Sequence, residues 1–261
     1  MSSSRQVPRG CRILLTRAQE DVQQWASRLE SVGAEAVALP CIVCEPIYSG
    51  ALGAQLALAI ERAEWLVLTS VRGVANVAAL LGPGAELPSD TRVAAVGPAT
   101  EEAASSRWGP VDLVAPDGTA ASLADALIPL LASDRSGPWA TVVAAGPDQA
   151  RPELEQRLQE AGVRTARFSV YRTVAAPAAE QPEDLAKWNL DAIFLASPSA
   201  VHGLLNQASV PSGVPLISIG PSTTAAATDA GLTVTSEATT RSLGGLLSAL
   251  RKAVPYAENC Q

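Results

Sequence analysis

Residues 94–100 read AAVGPAT, and residues 217–223 read ISIGPST. Both segments contain a short apolar run followed by Gly-Pro, a small residue and Thr, and both lead into an alanine-rich stretch with helical character. A buried strand that turns directly into a helix is typical of a parallel sheet covered by helices. The chain therefore repeats one strand-to-helix turn in its two halves, which predicts two units of similar construction.

A second pair of segments extends this repeat. Residues 65–70 (WLVLTS) and 192–197 (AIFLAS) each read as a buried strand that ends in Ser and leads into a helix. In both halves the Gly-Pro turn follows after one more strand. The alternation of continuous apolar strands with helices runs along the whole chain and indicates sheets that are buried on both faces. The predicted fold class is α/β, with two doubly wound parallel-sheet domains of the Rossmann or flavodoxin-like type.

The composition limits the classes of protein that need to be considered. The 261 residues are 48% hydrophobic, which is enough for two cores, and the net charge is −7. An acidic chain without a Lys/Arg cluster is a poor ligand for nucleic acid. No apolar run reaches the length of a membrane span, and the N-terminus lacks the pattern of a secretory signal. We expect a cytoplasmic monomer whose partner is a small molecule, not a nucleic acid or a membrane.

Cysteine and histidine give little support for a metal or redox site. Cys41 and Cys44 form a C-x-x-C, but the surrounding sequence ALPCIVCEPI alternates like a strand instead of opening a helix as a redox motif would. A zinc site would need a second pair of ligands, and the chain has one histidine, His202. The pattern favours two small core residues over a redox centre, and we expect a surface or capping role for His202.

The Ser-, Thr- and Gly-rich turns are the candidate ligand site. In a doubly wound sheet they lie at the carboxyl ends of the strands, where ligands bind, and helix N-termini there present N–H groups and partial positive charge. Any one of these turns alone is better explained as a helix cap. Four similar turns, two in each half, favour a ligand cleft between the two units.

Several segments in order along the chain are similar to those of a known family. They are RILLTRAQED, VALPCIVCEPI, LVLTSVRGV, AAVGPATEEA, VYRTV, IFLASPSAVHGLL and ISIGPSTTAAATDAGL. Together they resemble uroporphyrinogen-III synthase, and the likeness extends from Arg12 to about Ala253. The most specific part is Ser-Pro-Ser-Ala-Val followed by Gly-Pro-Ser-Thr-Thr.

The resemblance implies a discontinuous domain. The chain would start in one domain, cross to a second and return to finish the first. Domain 1 would comprise residues 1–40 plus 174–261, and domain 2 residues 41–173. The crossings near 37–47 and 166–174 would form a two-stranded connector able to flex over a ligand.

The resemblance also implies a reaction. The family converts hydroxymethylbilane, a linear tetrapyrrole, into a macrocycle with loss of the terminal hydroxyl and inversion of the last pyrrole ring. It implies no metal and no organic cofactor, which agrees with the lack of a P-loop and of G-x-G-x-x-G in this sequence. The substrate carries eight carboxylates, and an acidic protein can hold them with helix N-termini and turn amides.

On this basis we predict the site residues by number. The general-acid candidate is Tyr171, which matches the family's tyrosine at the domain junction, although it could instead be a strand residue that packs across the cleft. The substrate-binding candidates are Ser70, Gly97, Thr100, Ser197, Ser199, Gly220, Thr223 and Thr224, with their neighbouring N–H groups. Arg17 and Arg72 begin two of the turns and could pair with a carboxylate or be solvated surface arginines. The Arg72 turn departs from the later turn in having Val71 where that turn has Pro198.

Two rival functions are considered. The first is a non-catalytic two-lobed protein that binds or senses a small molecule. The second is a dinucleotide oxidoreductase, which is disfavoured because no strand is followed by the glycine fingerprint.

Overall fold

The structure is a computed structural model that describes residues 10–131, 142–150 and 152–253. By its internal contacts the chain divides into two compact units, which we call unit 1 (residues 1–44 and 174–261) and unit 2 (residues 45–173). The chain thus leaves unit 1, completes unit 2 and returns.

Strands and helices alternate along both units. In chain order the strands are β1 (Arg12–Leu15), β2 (Glu35–Ala38), β3 (Ile42–Pro46), β4 (Trp65–Leu68), β5 (Arg92–Ala95), β6 (Leu113–Val114), β7 (Val142–Pro147), β8 (Thr165–Ala175), β9 (Glu183–Asp184), β10 (Ala192–Leu195), β11 (Ala208–Ser209), β12 (Leu216–Ser218) and β13 (Ser236–Glu237). The helices are α1 (Gln19–Glu30), α2 (Gly50–Ile60), α3 (Val71–Leu81), α4 (Pro98–Trp108), α5 (Ala120–Leu127), α6 (Glu153–Glu160), α7 (Pro198–Gln207), α8 (Pro221–Asp229) and α9 (Leu243–Ala253).

Unit 1 is built on a five-stranded sheet with the order β13-β12-β10-β1-β2, in which every neighbouring pair is parallel. Side chains of β1 alternate between its two faces, as expected for a strand. Ile13 and Leu15 join a core with α1 and α9, while Leu14 joins a second core with α7 and α8. Both faces are therefore covered, which explains why the strands read as continuous apolar runs.

Unit 2 is built on a six-stranded sheet with the order β3-β8-β7-β4-β5-β6. Its centre is β4, whose four residues are all buried and which pairs in parallel with β5 on one side and β7 on the other. The chain first builds outward through β5 and β6 and then returns to the other side of β4 for β7 and β8. The topological switch point therefore lies between β4 and β7, which is the usual position of a ligand crevice in this kind of sheet. The expected α/β class with doubly wound parallel sheets is confirmed.

Helix α7 packs unusually closely on the two segments where the chain leaves and re-enters unit 1. A Cβ atom placed on Gly203 would overlap the carbonyl oxygen of Cys41. Gln207 Nε2 donates to the carbonyl of Pro40 at 2.6 Å, and Asn206 Nδ2 donates to that of Ala176 at 2.8 Å. These contacts fix both segments to one helix.

The C-x-x-C cysteines are not arranged as a redox centre. Cys41 is fully buried, and its thiol donates to the carbonyl of Leu39. Burial raises the pKa of Cys41 to about 12, so the thiol stays protonated and unreactive at neutral pH. Cys44 is half-buried on β3, and neither cysteine forms a disulfide. The expectation of a core residue is confirmed for Cys41.

Two further findings concern metals and membranes. Within residues 10–131, 142–150 and 152–253, no group of three or more His, Cys, Asp or Glu side chains is placed to hold a metal ion. No helix of these ranges is long and apolar enough to cross a membrane. His202 is exposed on α7, in agreement with the surface role expected for it.

We predict that Gly203→Ala strongly destabilises unit 1. The added methyl group meets main-chain atoms that cannot move aside, so we expect a loss of about 3 kcal/mol in the free energy of unfolding. The matched control is Gly244→Ala, because Gly244 is also helical and exposed in unit 1 and its Cβ would come no closer than 3.8 Å to a neighbour. The control should be neutral or up to about 1 kcal/mol more stable. Urea unfolding of both variants checks this, and equal stabilities would contradict the close approach.

Candidate functional site

Four helices begin directly where buried strands end, namely α3 after β4, α4 after β5, α7 after β10 and α8 after β12. Ser70 and Ser197 cap α3 and α7 in the same way. The Oγ of Ser70 accepts from the N–H of Gly73 at 3.0 Å, and that of Ser197 accepts from the N–H of Ala200 at 3.1 Å. The repeat seen in the sequence is therefore a repeat of local structure.

The two Gly-Pro turns are also equivalent. Gly97 and Gly220 are the N-cap residues of α4 and α8, both have extended backbone, and neither has a side chain that could cap the helix. Each is followed by Pro, which starts a helix without needing an acceptor for an N–H. An anion can approach these bare starts without meeting a capping side chain.

Thr100 and Thr223 occupy the third position of these two helices, where both are buried beneath the turns. They are 4% and 1% exposed, and their N–H groups donate to the carbonyls of Gly97 and Gly220 at 3.0 Å each. Their side chains are therefore not available to a ligand. The N–H groups nearer the helix starts remain as candidate donors, including that of the half-buried Ser199 in α7.

Thr224 has a structural role that its sequence position did not reveal. Its hydroxyl contacts that of the fully buried Ser218 at 2.6 Å and donates to the carboxylate of Glu237. These bonds join α8 to the ends of β12 and β13. The hydroxyl of Thr224 is thus already bonded within unit 1, and what this turn can offer a ligand comes from its backbone.

Tyr171 and Ser70 meet in unit 2, although they are 101 residues apart in sequence. Their hydroxyl oxygens are 3.1 Å apart, and either group can be the donor. Tyr171 lies on β8, is 6% exposed, and accepts through its carbonyl from the N–H of Asp148 at 2.8 Å. A phenol is therefore held at the positive end of α3.

Arg17 is partly buried against α1. Its guanidinium lies 4.3 Å from the ring centre of Trp25 and 3.0 Å from Asp21, and its side chain is 26% exposed. Its buried Nε has no hydrogen-bond partner in the described part of the chain. Helix α1 therefore supplies this arginine with both an acid and an aromatic face.

Arg72 is the second residue of α3 and is half-buried. Its carbonyl accepts from Nδ2 of the buried Asn76 at 2.9 Å, and the Oδ1 of Asn76 accepts from the hydroxyl of Tyr48 at 3.2 Å. With the contact between Ser70 and Tyr171, the first turns of α3 therefore carry hydrogen bonds to two tyrosines.

Arg241 is a residue that sequence reasoning missed. Its side chain crosses Gly220, so that a Cβ on this glycine would lie 3.1 Å from the Nε of Arg241. A larger residue at position 220 would have to displace this side chain, whereas the extended backbone there suits any residue. A guanidinium and a helix N-terminus then present positive potential at the same place, which suits an anion. No motif in the sequence around residue 241 indicates this contact.

The described residues supply two kinds of chemical group. Within each unit, helix starts offer main-chain donors to anions, and in unit 2 a hydroxyl pair also offers a proton donor beside the start of α3. Groups of these kinds can bind carboxylates and protonate a leaving oxygen.

Comparisons with known proteins identify the family and the fold of this chain. The family model described as Uroporphyrinogen-III synthase HemD matches residues 23–248. A mutant uroporphyrinogen III synthase from Thermus thermophilus shares 20% sequence identity with a TM-score of 0.50, and the alignment covers 94% of this chain and 98% of that chain. Uroporphyrinogen-III synthetase from Helicobacter pylori shares 13% identity with a TM-score of 0.52, covering 92% of this chain and 97% of that chain. At these identities the solved structures show a shared fold, while the family match extends over most of the chain.

We predict that Ser70 and Tyr171 are energetically coupled. Ser70→Ala should lower the free energy of unfolding by about 1 kcal/mol through the lost cap and by about another 0.5–1.5 kcal/mol through the lost hydroxyl contact. The double variant Ser70→Ala/Tyr171→Phe should lose less free energy of unfolding than the sum of the losses in the two single variants. Ser49→Ala is the matched control, because Ser49 caps α2 in unit 2 by accepting from the N–H of Leu52 at 3.0 Å. Its effect should add to that of Tyr171→Phe, and additivity for Ser70 as well would exclude the coupling.

Proposed function

The chain belongs to the uroporphyrinogen-III synthase family, whose members are cyclising lyases of tetrapyrrole biosynthesis, and we propose that Tyr171 and the helix starts described above carry out the reaction. The reaction closes hydroxymethylbilane to the type III macrocycle, with loss of the terminal hydroxyl and inversion of the last ring. The observation that supports this assignment most directly is the 3.1 Å contact between Ser70 Oγ and Tyr171 Oη at the start of α3.

The proton needed for loss of the hydroxyl comes from Tyr171. In this mechanism the hydroxyl of Ser70 is the donor in its contact with Tyr171 Oη, which is one of the two directions that the contact allows. Ser70 Oγ accepts from the N–H of Gly73 at the same time, as a hydroxyl oxygen can. The phenol then directs its own proton to the leaving oxygen. As the C–O bond breaks, its electron pair goes to that oxygen, water departs, and a cation remains on the pyrrole. The developing phenolate is stabilised by Ser70 and by the N-terminus of α3.

The carboxylates of the substrate are held mainly by main-chain N–H groups at the starts of α3, α4, α7 and α8. The chain carries a net charge of −7, so a polyanion is not attracted by the molecule as a whole. Helix starts avoid this difficulty because their positive potential is fixed and local. Arg241, which crosses the Gly-Pro turn of α8, adds an ionised donor in unit 1.

The remaining work of the enzyme is geometric. The linear substrate can close without help to the wrong isomer, so the protein must hold the reacting ends in the orientation that gives type III. Orientation of reacting groups contributes up to about 7–11 kcal/mol in the best intramolecular systems. This predicts that no single substitution among the helix starts abolishes activity. We further propose that the protein is a cytoplasmic monomer and that its substrate is a freely diffusing small molecule.

We predict that Tyr171→Phe lowers the rate of type III formation about 10- to 100-fold, at the lower end of general-acid effects because water can partly replace the phenol. Tyr48→Phe is the matched control, since Tyr48 also donates its hydroxyl to a residue of α3 but is 56% exposed. Its rate should stay within about twofold of the parent. The variant loses the hydrogen bond from Tyr48 to Asn76, which contributes about 1 kcal/mol to the free energy of unfolding and takes no part in the reaction. The measurement is separation of product isomers after incubation with freshly made hydroxymethylbilane. An unchanged rate for Tyr171→Phe would remove this residue from the mechanism.

A further inference from the structure

Unit 2 contains a pocket of about 480 Å³ that lies within this unit and that no step of the reaction above has used. It opens at the carboxyl ends of β4, β5 and β7 and at the starts of α5 and α6, where Thr69, Val96, Pro147, Thr119 and Glu153 line it. It therefore occupies the topological switch point of the sheet, where ligands of doubly wound folds bind.

Two lining residues connect the pocket with Tyr171. Thr69 lines it and immediately precedes Ser70, whose hydroxyl contacts that of Tyr171. Pro147 also lines it and pairs with Tyr171 in the register between β7 and β8. A group bound in the pocket is thus next to the strand positions that hold the phenol.

Small residues and fixed side chains keep the pocket open. Gly118 has a φ of +63°, and a Cβ on Gly146 would come within 2.8 Å of Thr69 Oγ1, so larger residues are disfavoured at both positions. Three of the lining residues are alanines. Arg167 does not fill the space, because its guanidinium is bonded to Glu155 at 2.6 Å and to the carbonyl of Pro147.

The chemistry of the lining fits a flat ring with an acidic arm. Val96 and Leu154 give apolar surface for the faces of a ring. At one end Thr119 caps α5 by accepting from the N–H of Ser122 at 3.1 Å, and the N–H groups nearer the start of this helix remain for an anion. Glu153, the first residue of α6, also lines the pocket and would repel a carboxylate, which favours the α5 start over the α6 start for the acidic arm.

The size of the pocket limits what it can hold. Its volume lies in the range of small-molecule sites of about 300–1,000 Å³. It is sufficient for one pyrrole ring with its arms but not for the four rings of a tetrapyrrole.

We propose that this pocket binds the single pyrrole ring that bears the departing hydroxyl, with one of its carboxylate arms at the start of α5. This inference rests on the proposed function, because it assigns a place to one ring of that substrate. The ring would then present its hydroxymethyl group towards Tyr171.

The test uses the full chain and one enlarged side chain. Ala121→Leu places a larger group in the pocket at only a small cost in helix propensity, and Ala126→Leu makes the same change on the same helix away from the pocket. Ala150→Leu, which enlarges a different lining residue, serves as a second variant if Ala121→Leu does not fold as judged by its melting temperature. The probe is a monopyrrole with one acetate and one propionate arm, whose binding is measured by calorimetry independently of turnover.

We expect the parent and Ala126→Leu to bind the monopyrrole equally, and Ala121→Leu to bind it at least about tenfold more weakly, since a filled site excludes the ring. The same variant should lower kcat/KM for type III formation at least about tenfold, with Ala126→Leu within about twofold of the parent. Equal monopyrrole affinities in all three proteins, or equal kcat/KM values, would overturn the pocket assignment while leaving type III formation by the parent intact. Absence of type III product from the parent, with monopyrrole binding still sensitive to Ala121→Leu, would instead contradict the proposed function and support the pocket as a pyrrole site.

Discussion

Parallel pairing of short, fully buried strands is the constraint from which the rest of this structure follows. In unit 1 the residues of β1 pair with both β2 and β10, and in unit 2 those of β4 pair with both β5 and β7, always in parallel. Neighbouring parallel strands must be connected by crossovers, so the ends of β1, β4, β5, β10 and β12 are each followed by a helix start on the same edge of the sheet. The gathering of helix N-termini at one edge of each unit is a consequence of this pairing and requires no charged side chain.

The same constraint explains how an acidic protein can act on a substrate with eight carboxylates. Side-chain cations would have to be ordered and desolvated for each arm, whereas main-chain N–H groups at a helix start are already ordered by the helix. Two of the arginines near these edges already contact other residues of unit 1. Arg17 is stacked on Trp25 and paired with Asp21, and Arg241 lies across Gly220. Under the proposed function, shape and main-chain polarity therefore have the larger part in recognition.

The fold and the positions of the turns could be predicted from sequence because both depend on local pattern. In unit 2, for example, the chain has an apolar run at residues 65–68, then Thr-Ser and then a helical pattern. These features are neighbours in the chain, and β4 and α3 lie where the pattern indicates.

The site is harder to predict because its side chains meet through tertiary structure. Nothing in the sequence around Thr224 indicates that its hydroxyl bonds to Ser218 and Glu237. The contact between Tyr171 and Ser70 joins residues from β8 and the start of α3, and only the order of strands in the sheet brings them together.

The central claim is that main-chain N–H groups at helix starts bind the carboxylates of the tetrapyrrole. The most direct test is a titration of isotope-labelled protein with the type III product, followed through the nitrogen and proton resonances of the amides. We predict that the largest downfield shifts occur at the second residues of α4, α7 and α8, which are Ala99, Ser199 and Ser222. Shifts confined to arginine Nε–H groups, with these amides unchanged, would contradict the account.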